Sequence, residues 1–407
     1  MSRAARAALL LLAGCGATHT GPDAAPPSAA AHDAATAAAH EAPHEAAHEA
    51  AHEQPHAAAP AGAPGGEVAS APRKVPTAAE RAARTDLVLP GETHFRTVRQ
   101  MTFGGQNAEA YWSWDDRSLI LQIADPPVVP CDQIFVADVA SGFLRQVTDS
   151  GRNTCAYFLP GDERILFAST AESAPGCPPE PDRSHGYVWP LYDYDVFVAQ
   201  RDGSARRNIT HSPGYDAEAT VAADGRIVFT SSRSGDIELW SMDAEGGDLR
   251  QLTHELGYDG GAFFSPDGTR LVWRASRPAT PEALAEYQGL LARNLVKPSV
   301  MELFVADADG RNVLQLTSNG KANFAPYFTP DGRSLLFASN MADSKGRAFE
   351  IWKIDVDGSH LEQITHDPGS FASFPMFSHD GRWLAFSSNR NGSVPHETNV
   401  FIAEWVP

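Results

Sequence analysis

The stretch THELGYDGGAFFSPDGTRLVW, Thr253–Trp273, is a second version of THSPGYDAEATVAADGRIVF, Thr210–Phe229, set 43 residues further along the chain. Both open on Thr, pass through Gly-Tyr-Asp and reach an Asp-Gly pair between apolar runs. Asp-Gly supplies the positive backbone angles of a tight hairpin. Flanking runs such as "TRLVW", "RSLLF" and "RWLAF" read as strands.

Outward from this pair the same phrase recurs. Apolar-Thr pairs stand at Met101-Thr102, Val147-Thr148, Ile209-Thr210, Leu252-Thr253, Leu316-Thr317 and Ile364-Thr365, with 43 to 64 residues between successive Thr. Third strands read "QIFVADV", "YDVFVAQ", "IELWSMD", "MELFVAD", "EIWKIDV" and "NVFIAEW". A period near 40 to 45 residues with four strands per unit is the mark of propeller blades. The expected fold is all-β: a six-bladed β-propeller of four-stranded blades. The last repeat stops after its third strand, whereas "FRTVRQMT", Phe95–Thr102, is a fourth strand with no blade before it. Pairing the two closes the ring and removes an open sheet edge.

The repeats resemble the TolB-type propeller family, over about residues 95–407 and six times over. That resemblance implies an envelope address and protein, peptide or peptidoglycan-associated partners. Two departures are expected: an N-terminal α/β domain gives way to a low-complexity tether, and the zinc aminopeptidase domain fused to some similar propellers is absent.

The chain begins as a targeting segment. Arg3 and Arg6 precede the apolar run "AALLLLAGC", and Leu12-Ala13-Gly14-Cys15 resembles a bacterial lipobox, which implies cleavage after residue 14 and lipidation of Cys15. Outer-membrane anchoring facing the periplasm is then expected. Residues 15–93 are rich in Ala, Pro, His and Glu, too poor in apolar side chains to fold. Such a tether of about 78 residues has an end-to-end distance on the order of 50 Å. Within it His40, His44, His48, His52 and His56 recur every four residues, and "HEAAH" matches a zinc-protease string. The match arises from low complexity, so a solvated spacer is expected, with weak metal binding as the other reading. The domain plan is therefore signal 1–14, tether 15–93 and propeller 94–407.

With 407 residues and a formal charge of −19, the chain lacks the clustered Lys and Arg that a nucleic-acid partner needs. No apolar run is long enough to span a membrane, leaving the lipid as the only membrane contact. A monomer is expected. An exported chain meets an oxidising compartment, so one disulfide among Cys131, Cys155 and Cys177 is expected, its pairing open, stabilising by about 3 kcal/mol.

Strand direction puts the first-to-second and third-to-fourth turns on one face, all tight. The other face carries the insertions 124–132, 171–194, 275–300, 340–348 and 388–398, where binding is usually built. Tyr187, Trp189, Tyr192 and Tyr194 in the second insertion either form an interface or pack as a lid. "TPEALAEYQGLLARNL" predicts a helix capped by Thr280, with Leu284, Tyr287, Leu291 and Leu295 on one face. Asn107, Asn153, Asp216, Asp259 and Asn323, with Ala372 in the sixth unit, recur at the blade entrances. Glu109 and Glu218 lie two residues on, and His211, His254 and His366 follow the repeat Thr. These are expected at the channel mouth, either satisfying loop backbone groups or forming a ring for a peptide end or a cation such as calcium. No organic cofactor is implied. With no nucleophile elbow or phosphate loop, the expected function is a non-catalytic envelope lipoprotein that binds a protein, peptide or cell-wall partner. The alternative is a metal-dependent propeller hydrolase or lyase, lactonase-like or oligogalacturonate-lyase-like, using Asp216, Asp259, Glu218 and nearby His.

Overall fold

The Asp-Gly turns join the first two strands of a blade, as their spacing requires. The computed structural model describes residues 87–407 apart from Arg183 and His185. The signal segment, Cys15, His44, His48, His52 and His56 therefore lie outside the described residues.

Six four-stranded antiparallel sheets follow one another. Blade 1 comprises Gln106–Trp112, Ser118–Asp125, Val129–Asp138 and Leu144–Gln146. Blade 2 comprises Asn153–Phe158, Arg164–Ser169, Asp195–Gln200 and Arg207–Asn208. Blade 3 comprises Asp216–Val221, Ile227–Ser231, Glu238–Met242 and Arg250–Gln251. Blade 4 comprises Tyr258–Phe264, Arg270–Ser276, Glu302–Asp307 and Leu314–Gln315. Blade 5 comprises Asn323–Phe328, Ser334–Ser339, Glu350–Asp355 and Glu362–Gln363. Blade 6 comprises Ala372–Phe377, Trp383–Ser388 and Asn399–Trp405. Its outer strand is Phe95–Gln100, antiparallel to the third, with Phe95 opposite Trp405 and Gln100 opposite Phe401. The ring is closed by the first and last of the described strands, as the sequence implied.

The repeat Thr has a specific task. Thr102, Thr148, Thr210, Thr253, Thr317 and Thr365 each accept, through Oγ1, a backbone N–H of the third strand at 2.8–3.0 Å. This satisfies a donor that the short outer strand leaves open. Second strands such as "SLLFAS" are buried along their length. Blades pack against both of their faces, so the in-out alternation of a half-buried strand disappears.

Residues 87–93, expected at the end of the tether, are packed. Leu87 and Val88 sit against the blade 6 core. Glu92 is buried in a two-pronged ion pair with Arg390 at 2.7 and 3.1 Å. No local pattern marks this pair, because the partner lies 298 residues away. The helix runs Pro281–Leu291, with the Thr280 hydroxyl accepting from Ala283 N. It stops short of Leu295, which instead joins a two-stranded pair, and its buried residues are Tyr287 and Leu290.

Among the described residues no helix is long and apolar enough to cross a membrane.

Candidate functional site

A cavity of about 1080 Å³ opens among the insertions and runs down into the ring. Its inner wall follows from one backbone irregularity repeated six times. The first strand of every blade breaks register against the second, between Ala108 and Tyr111 in blade 1 and at the equivalent place in the others. Such a bulge re-aims a side chain. The re-aimed residues are Glu109, Cys155, Glu218, Gly261, Ala325 and Phe374, all at φ between 47° and 62°. All six line the cavity. Five are not glycine, and left-handed backbone there costs on the order of 1 kcal/mol each, which the surrounding blades must offset.

Gly261 is glycine for a reason of space. A Cβ there would overlap the Arg274 guanidinium, and one at Gly260 would come within 2.7 Å of Glu218 Oε2. The two glycines let Arg274 reach the cavity wall. Arg274 donates to Glu218 Oε1 and to the Tyr258 hydroxyl, which itself donates to Glu218 Oε2 at 2.9 Å. Thr230 donates to the same oxygen at 2.8 Å. Arg274 also lies over the rings of Trp189 and Tyr258, at 5.2 and 5.6 Å. The pairing with Glu218 raises its already high pKa, so it is a permanent charge.

Glu109 is placed differently. Its carboxyl accepts from the Tyr111 hydroxyl at 3.1 Å and from the Cys155 thiol. Burial pushes it up to about 7, and nearby Glu218 adds to the shift. The Cys155 thiol is pushed well above its ordinary value by burial and then by Glu109 and Glu218, so it is not a thiolate. Below the bulges, Tyr111 packs on Tyr157 and Phe263, and Phe263 on Tyr327. This aromatic layer closes the bottom, and the cavity is blind rather than a pore.

The rim is made by insertions 124–132, 171–194 and 388–398. Tyr187, Trp189, Tyr192 and Tyr194 all line it. They are also packed: Trp189 pairs with Val296 and Pro190 with Leu295, so the second and third insertions share a small sheet. The Tyr192 hydroxyl donates to Pro179 O at 2.7 Å, and Tyr194 meets Tyr215 edge-on. These aromatics thus pack on one another and on the third insertion while also lining the cavity. Cys131 and Cys177 are bridged, tying the first insertion to the second, and Cys155 is free. Arg152 spans the same rim to Asp132 and Glu180, at 3.3 and 3.2 Å.

The expected mouth ring is placed otherwise. Asn107, Asn153, Asp216, Asp259 and Asn323 are fully buried behind the wall. Asn107 donates to Thr398 O of the neighbouring blade at 2.7 Å, Asn153 to Gln133 and Asn323 to Met301 O. Asp216 pairs with Arg233 and Asp259 with Arg277. The three asparagines rivet blade to blade, whereas Asp216 and Asp259 each pair with an arginine of their own blade. His211 and His254 are exposed, and His366 lies beside Gly91; none lines the cavity. Asp216, Asp259, Glu218 and the histidines therefore do not converge, and no three His, Cys, Asp or Glu side chains are grouped to hold a metal among the described residues. Sequence reasoning missed Arg274, Tyr258, Ala325 and Phe374. Stepping two residues on from every Asx position, not only from those followed by Glu, marks the ring.

Behind the wall lies Glu238, whose Oε2 has no hydrogen-bond partner. Burial pushes its carboxyl up to about 8, with Asp259 and Asp236 adding to the shift.

No family model matches the sequence. Over 93 residues the chain is 32% identical to an uncharacterized protein of Agrobacterium fabrum, a match spanning 23% of this chain and 30% of that protein. Among solved structures it is similar to TolB from Agrobacterium tumefaciens, with a TM-score of 0.50 and 18% identity, covering 74% of this chain and 91% of that one. TolB from Acinetobacter baumannii gives a TM-score of 0.52 and 17% identity, covering 72% of this chain and 65% of that one. At these identities the likeness is one of fold, and the described residues form a TolB-like six-bladed propeller.

Proposed function

We propose that the protein is a cell-envelope lipoprotein, anchored through Cys15, whose propeller binds a segment of a protein or peptide partner without catalysing a reaction. The observation that carries this is the blind, aromatic-walled cavity built from three insertions on one face of a rigid ring. Concave sites with aromatic walls and a few fixed polar groups suit ligand or segment capture. The Cys131–Cys177 bridge fits an oxidising compartment, in line with the leader. By resemblance, a peptidoglycan-associated or outer-membrane protein is the partner class. The tether gives the ring reach from the membrane.

Site-specific photocrosslinking tests the reading. Val394 on the rim and Phe143 on the turn face are equally exposed, at 61%. A benzoylphenylalanine at Val394 is expected to capture one defined envelope protein in living cells, and the same group at Phe143 is not. The same yield at both sites, or capture at Phe143 alone, would sink the choice of face.

A further inference from the structure

The blind end of the cavity is two-sided. Around the ring the bulge positions run Phe374, Glu109, Cys155, Glu218, then Gly261 with Arg274 in its place, then Ala325. One arc is therefore polar and acidic, and the other, Ala325 and Phe374, is apolar.

The two acids of the polar arc differ. Glu218 has a guanidinium partner and two hydroxyl donors. Among the described residues Glu109 has the neutral Tyr111 hydroxyl and Cys155 thiol as partners and no ion pair, although Phe374 of the adjoining blade brings an aromatic ring to the same cavity. Its reluctance to ionise, set by burial and Glu218 and only partly opposed by Arg274, reports a missing counter-charge. Six carboxylates and two guanidiniums stand among the described lining residues, and both guanidiniums are already paired. A carboxylate beside aromatic faces favours a cation, through charge and through the ring quadrupole.

We propose that the blind end binds an ammonium group carried on an apolar stem, with Glu109 as its counter-ion and the Ala325–Phe374 arc taking the stem. A small amine, a peptide amino terminus and a lysine side chain share that chemistry. The inference rests on the loop-face cavity being the binding site, and it names what the deepest part of that site recognises. Arg274 holds Glu218, so Glu109 is the group left to meet the incoming charge. Ligand carboxylates and phosphates are disfavoured by the same excess of acids.

Calorimetry on the purified full chain at pH 8 tests this with paired probes. The pairs are 2-phenylethylamine against 2-phenylethanol, Phe-Gly-Gly against its acetylated form, and acetyl-Gly-Lys-Gly against the same peptide acetylated on lysine. At least one ammonium probe is expected to bind about tenfold or more tighter than its neutral twin, a difference of about 1.4 kcal/mol. Which pair shows it assigns the source of the ammonium. Glu109→Gln is expected to erase that preference while leaving the neutral twin's affinity unchanged. No preference in any pair of the wild-type protein, which needs no variant to fold, overturns the inference, and so does a preference that survives Glu109→Gln. Either result with Val394 still capturing its partner removes the ammonium subsite alone, whereas loss of capture at Val394 strikes the binding-face reading itself.

Discussion

The two faces of the ring are built by opposite rules. On the turn face one arrangement recurs: Ser113 with Asp115, Ser265 with Asp267, Thr329 with Asp331 and Ser378 with Asp380. Each hydroxyl donates to the carboxylate at 2.6–2.7 Å. Each carboxylate also accepts the backbone N–H two residues on, at 2.9–3.1 Å. On the loop face the blades differ from one another. Among the described residues, one disulfide, one helix, one two-stranded patch and two buried Arg–Glu pairs each occur at a single place. Repetition, here in four of the six blades, marks what a blade uses to hold its own turn. Divergence marks what the ring as a whole is shaped to hold.

The comparison can be broken hardest where the chain ends meet. Glu92→Ala leaves the Arg390 guanidinium buried without its counter-charge, its side chain being 4% exposed. A loss of about 4 kcal/mol in urea unfolding is expected, as for other severed buried pairs. Cutting the loop-face brace with Cys131→Ser and Cys177→Ser comes next, at about 3 kcal/mol. Dithiothreitol should destabilise the wild-type protein by a similar amount and leave the double variant unaffected.

Glu238 sharpens the contrast through pH. Its carboxyl is pushed from 4.5 up to about 8 in the folded state, so the folded protein holds the proton more tightly than the unfolded chain. The associated stability is fully present below about pH 4.5 and is lost as pH rises through about 8. Glu238→Gln is expected to match wild type at pH 4.5 and to be more stable at pH 9, by about 2 kcal/mol once solvent screening of this partly accessible carboxyl has cut the full linkage value by half or more, read from paired denaturation curves. A constant difference across that range would contradict the assignment. The smallest effect is expected on the turn face: Asp267→Ala costs about 1 kcal/mol in hydrogen bonds and leaves crosslinking at Val394 unchanged.

The same division explains what the sequence could show. A tight turn is a local object, so Asp-Gly and the repeat Thr, with their fixed spacing, revealed blades, strand order and ring closure. The site depends on contacts between residues far apart in the chain. Arg274 reaches Glu218 across 56 positions, and nothing local marks it. The Asx positions were visible as a pattern, but their side chains are spent on buried contacts behind the wall, and the bulge two residues on aims Glu109 and Glu218 inward instead. Glu109 and Glu218 were legible because carboxylates stand out. Ala325 and Phe374 were not, because small and aromatic residues are ordinary in strands. The disulfide partner of Cys131 turned on which loop the second insertion approaches, which a folded ring decides.

Cys155 offers the most direct measurement of whether the loop-face cavity is the binding site. It is the free cysteine among the described residues and sits on the bulge ring beside Glu109. The measurement is its rate of modification by methyl methanethiosulfonate, followed by peptide mass, in the protein alone and with the partner that Val394 captures. Bound partner is expected to slow the reaction by about tenfold or more, by covering the cavity that leads to a thiol already held protonated. An unchanged rate with the partner fully bound would show that the cavity stays open in the complex, and that binding lies elsewhere on the ring.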